Sequence, residues 1–89
     1  MTSAINFVEL ESGVIAATYR NLVIRAKVLL VEKASGEPLP KQVTTITSPL
    51  PINSLRIRLS AGIRAEIYFL LARNAYGDEV ARSAEFSID

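Results

Sequence analysis

Short apolar segments alternate with turn formers along the whole chain, and no long window shows a helical pattern with clean caps. Ala4 to Glu11, ended by Ser12-Gly13, predicts a first strand, and Val14 to Arg20 predicts a second. Leu22 to Lys33 reads as one long third strand, closed by Ala34-Ser35-Gly36-Glu37-Pro38, where glycine and proline supply turn angles. A polar segment, Lys41 to Ser48, is held between Pro38-Leu39-Pro40 and Pro49-Leu50-Pro51. Proline cannot donate to a sheet ladder, so this bracketing suits a protected edge strand; a plain proline-rich loop is the alternative. Ser54 to Leu59 predicts a half-buried strand, with Leu55, Ile57 and Leu59 on one face and Arg56 and Arg58 on the other. The last strand, Arg82 to Ile88, alternates in the same way, setting Ala84, Phe86 and Ile88 against Ser83, Glu85 and Ser87.

One segment breaks the alternation. Ile67-Tyr68-Phe69-Leu70-Leu71-Ala72 is six apolar residues in a row, stopped by Arg73-Asn74-Ala75-Tyr76-Gly77. A strand with one wet face alternates, so this run predicts a central strand whose two faces are both covered. Seven short strands separated by turns predict an all-β chain, a single domain over residues 1–89 built as an antiparallel Greek-key sandwich.

Tyr68, Leu70, Ala72, Asn74 and Gly77 resemble the sixth strand and following turn of a fibronectin type III domain, and the Leu59 to Gly62 turn precedes them at nearly that family's distance. The strand count and order extend the likeness over almost the whole chain, with an immunoglobulin-like sandwich of another lineage as the alternative. The chain departs from the family in three places. It has no tryptophan for the second strand, no proline in Ser60-Ala61-Gly62, and the family's corner tyrosine would fall near Glu66 in the register set by Ala72 and Asn74. After Gly77 come Asp78-Glu79-Val80, read as loop, with no Arg-Gly-Asp for integrin binding.

The resemblance implies that Tyr68, Leu70 and Ala72 point into the core, which puts Ile67, Phe69, Leu71 and Arg73 outside. On the third strand the apolar set Ile24, Ala26, Val28 and Leu30 faces in, so Arg25, Lys27, Leu29 and Val31 face out. In such a sandwich the third and sixth strands are neighbours. Leu29, Val31, Ile67, Phe69 and Leu71 are then expected to form a joint outer patch of a few hundred Å², edged by Arg25, Lys27 and Arg73. Two alternatives stand beside an exposed contact surface: the chain's own loops, such as Pro38 to Pro51, cover the patch, or the register slips by one residue. Asn74, Tyr76, Asp78 and Glu79 are further expected contacts in the loop that follows.

Composition narrows the chemistry. Hydrophobic residues are 49% and charged residues 21%, an ordinary globular balance that sets disorder aside. Ten Lys plus Arg against nine Asp plus Glu leave a net charge of +1, too little for a phosphate-binding surface, so no nucleic-acid partner is expected. With no histidine and no cysteine, the commonest general base, thiol nucleophiles and the usual zinc ligands are missing, which argues against an enzyme. No metal or cofactor is expected. Glu9 and Glu11 share one face of the first strand, and Arg56 and Arg58 share one face of the fifth; cross-strand ion pairs explain both.

Met1 to Asn6 has no signal-peptide pattern and no segment has the length of a membrane span, so the expectation is cytoplasmic synthesis without membrane insertion. Taken together, the residues predict a non-catalytic structural protein that works through protein contact. It would associate with itself or dock on a larger assembly, as accessory sandwiches of phage particles and tails do. The alternative is a fibronectin type III-like spacer or binding module cut from a multidomain extracellular protein.

Overall fold

The computed structural model describes residues 3–88 and is all-β, with eight strand segments: β1 (Ala4–Glu11), β2 (Val14–Arg20), β3 (Lys27–Glu32), β4 (Pro38–Thr45), β5 (Ile52–Arg58), β6 (Glu66–Arg73), β7 (Glu79–Arg82) and β8 (Phe86–Ile88). They form two antiparallel sheets. One has the order β1-β2-β5; the other runs β4-β3-β6-β7, with β8 also paired to β6. Between β1 and β2 the two-residue turn Ser12-Gly13 has φ of 52° and 75°, the left-handed pair whose twist matches a tight hairpin. Among the described residues no helix is long and apolar enough to cross a membrane.

Alternation decides which side chains meet. Ile5, Ile15, Ala17, Tyr19, Leu55 and Ile57 from the first sheet pack against Val28, Leu30, Tyr68, Leu70, Ala72 and Ile88 from the second, in one buried cluster. Phe7 and Phe86 stack at 4.0 Å, joining β1 to β8. Gln42, only 1% exposed, donates from Nε2 to the Ser60 hydroxyl (2.6 Å) and accepts from the Ser60 N–H (3.3 Å). A buried amide is tolerated there because both ends of its dipole are matched.

Several expectations change. The third strand begins at Lys27, not Leu22, because Asn21 (φ 58°) and Arg25 (φ 78°) are left-handed and bend residues 21–26 into a loop. The polar segment is a true edge strand, displaced toward the N-terminus: Pro38 is its first residue and pairs with Val31, and β4 ends its sheet. The last strand is split. Ser83 donates its N–H to the Leu70 carbonyl (2.8 Å), and its hydroxyl accepts from the Leu70 N–H (2.8 Å), so a side chain replaces one ladder bond and separates β7 from β8. The Tyr68 hydroxyl donates to the Arg64 carbonyl at 2.9 Å.

Candidate contact surface

The register brings the expected outer residues together. Leu29 pairs with Leu71, Val31 with Phe69 and Lys27 with Arg73, while Tyr68, Leu70 and Ala72 turn into the core. From Tyr68 to Ala72 both faces of the apolar run are covered, as its lack of alternation predicts. The broad exposed patch is not there, however: Val31, Phe69 and Leu71 are 2%, 7% and 6% exposed and form a second small buried cluster. Arg82 supplies part of the cover. The Arg82 guanidinium lies 4.6 Å from the Phe69 ring centroid and is held by Glu79 at 3.0 Å. Lys33, whose N–H bonds the Ile67 carbonyl, pairs with Glu85 at 2.9 Å. Of the five patch residues Leu29 is half-buried, and Ile67 alone is well exposed, at 43%.

The basic edge is better preserved. Arg25, Lys27 and Arg73 line a hollow of about 610 Å³ together with Leu29, Thr45 and Asn74. Arg25 reaches it from the 21–26 loop rather than from β3. Lys27 directly opposite Arg73 is a like-charge cross-strand pair, an unfavourable arrangement by itself. Asn74 shapes the adjoining turn: its Oδ1 accepts from the N–H groups of Tyr76 (2.9 Å) and Asp78 (3.0 Å). This leaves Tyr76 90% exposed at the tip. Glu79 and Val80, expected in the loop, open β7 instead. The Arg82 hydrogen bond holds the Glu79 carboxyl below the ordinary carboxylate range.

A second hollow was not legible as a site. Asn21, Leu22, Val23, Ile24, Pro49 and Pro51 line a concavity of about 590 Å³ where the loops 21–26 and 46–51 meet. Val23 is 64% and Ile24 48% exposed, and Leu50 (56%) and Ile52 (58%) belong to the adjoining segment. The two loops are tied together by backbone bonds: Asn21 N–H to Pro51 O at 2.7 Å, Arg25 N–H to Ile46 O at 2.9 Å and Ile46 N–H to Ala26 O at 2.8 Å. Leu22 and Ala26 anchor the loop in the core, at 4% and 0% exposure. Sequence reasoning placed Ile24 inside a strand with Leu22; the signal against it was Asn21, a residue that readily takes the left-handed conformation.

No family model matches this chain. No curated protein matches it either.

Proposed function

We propose that this protein is a non-catalytic contact domain that docks on a protein partner through the apolar hollow at the loop end. The observation that carries this reading is the fixed outward presentation of Val23 and Ile24. Two left-handed non-glycine residues, Asn21 and Arg25, flank them, and the backbone bonds to residues 46 and 51 hold the loop in place. Such conformations cost on the order of 1 kcal/mol or more and persist where the surroundings enforce them, commonly at binding sites. A pre-formed apolar concavity loses little entropy when it is filled. The basic hollow beside it, with Arg25, Lys27 and Arg73, suits an acidic rim on that partner.

The finer architecture supports a fibronectin type III-like sandwich: the strand order fits, and the Tyr68 hydroxyl bonded to a carbonyl four residues back is the arrangement called a tyrosine corner. Such a module, in a spacer or an accessory assembly, commonly binds through its loops.

The test is the pair Val23→Ser and Ile24→Ser together. A partner is recovered from the native source on the immobilised wild-type chain, purified and titrated. Binding to the folded double variant is expected to fall at least ~30-fold. Unchanged affinity would contradict the reading.

A further inference from the structure

The outer face of the sheet β1-β2-β5 carries a charge pattern of its own. Glu9 pairs with Ala16, which pairs with Arg56; Glu11 pairs with Val14, which pairs with Arg58. Residues paired in a ladder share a face, so an acidic column and a basic column stand on either side of a strip of smaller residues, Val14, Ala16 and Thr18. The four charged residues are exposed, and Val14 and Ala16 are half-buried. Val14 and Ala16 form the floor of a hollow of about 300 Å³ bordered by Glu9, Glu11, Ser12 and Arg56. The expected cross-strand ion pairs are not made. β2 separates the two columns by about 9 to 10 Å, and the three ion pairs found among the described residues, Lys33–Glu85, Arg64–Glu32 and Arg82–Glu79, involve none of these four.

We propose that this face pairs with the same face of a second copy of the chain, about a twofold axis lying in the interface parallel to β2. Rotation about that axis exchanges left for right without shifting the level along the strand. Glu9 then meets the copy's Arg56 and Glu11 meets the copy's Arg58, and symmetry repeats both contacts. The strips of Val14, Ala16 and Thr18 face each other, small enough to let the columns close. An axis perpendicular to the strands within the face would set like charges against like, so the pattern selects one orientation.

The face is small. Three strands about 4.8 Å apart and three to four outward rows give roughly 300 to 400 Å² per copy, below a standard interface of about 800 Å² per partner, so the pairing is weak. The pairing is therefore dependent on concentration and salt, and it uses a surface separate from the loop-end hollow. Its success or failure is independent of that reading.

Charge reversal tests it by sedimentation equilibrium up to about 1 mM, at ionic strengths of about 0.05 and 0.5 M. Wild type is expected to dimerise at low salt, with affinity at least ~10-fold weaker at high salt. Glu9→Arg with Glu11→Arg, and separately Arg56→Glu with Arg58→Glu, are each expected to be monomeric, because every contact becomes a repulsion. Mixing the two variants restores a dimer tighter than wild type. If either variant is unfolded by circular dichroism, the corresponding glutamine pair replaces it and weakens pairing in the same direction. A monomeric wild type at low salt, folded variants that pair as wild type does, or a mixture that stays monomeric overturns the proposal.

Discussion

Arg82 sits with its guanidinium 4.6 Å over the Phe69 ring while its Nε and Nη2 bind the two carboxylate oxygens of Glu79 at 3.2 and 3.0 Å. One residue thus covers an apolar cluster and is itself held in place by an acid on the same strand. Phe69→Ala is expected to lower the unfolding free energy by about 3 to 5 kcal/mol, as for other buried aromatics. Arg82→Ala gives a smaller loss of the same sign and more dye binding to the exposed face, and Arg82→Lys recovers it only in part, lacking the planar fork. Urea titrations of the three variants check this ordering.

The pairing also fixes an acid dependence. Glu79 has its pKa lowered from 4.5, chiefly by the Arg82 hydrogen bond. A lowered folded-state value stabilises the fold above the unfolded pKa, and the contribution is lost as pH falls through the folded one. Stability should therefore decline below about pH 4.5, and Glu79→Gln should flatten that limb. Thermal unfolding between pH 3 and 7, compared for the two chains, measures the difference.

How much of this was legible follows from which residues obeyed the period-two rule. β1 and β2 lie where their apolar positions and the Ser12-Gly13 turn put them. The run at Ile67 to Ala72 correctly signalled two covered faces, from Tyr68 to Ala72, because no register of six apolar residues leaves one face polar. The Arg82 guanidinium over Phe69 was not legible, because Arg82 reads as an ordinary surface charge. The loop-end hollow was hidden for the opposite reason. Leu22-Val23-Ile24 looks like strand, and only the left-handed backbone at Asn21 and Arg25, a tertiary outcome, turns its middle toward water.

That backbone makes its own prediction. Arg25 has φ of 78°, a region costly for a residue with a Cβ and free for glycine. Arg25→Gly is expected to stabilise the fold by up to about 1 kcal/mol. It should also weaken binding of an acidic partner. A stability gain with a binding loss, read by urea unfolding and titration, separates backbone strain from charge.

Tyr68 ties the start of β6 to the preceding turn through its hydroxyl bond to Arg64 O, and burial, with the nearby Glu32 charge, raises its pKa above the ordinary 10. The neutral phenol is the stabilising form, so stability is intact below about pH 10 and falls as pH rises through the folded value. Tyr68→Phe should cost about 1 kcal/mol at neutral pH and remove that alkaline sensitivity, as followed by denaturation at pH 7 to 11.

The central claim is that the partner sits on the loop end and not on the β3–β6 face, and site-specific photocrosslinking tests it most directly. A photoreactive amino acid is placed at Val23 in one chain and at Ile67 in another, both exposed positions, at 64% and 43%. The account expects a partner adduct from position 23 and none from position 67. An adduct from 67 alone, or none from 23 in the presence of the purified partner, would contradict it.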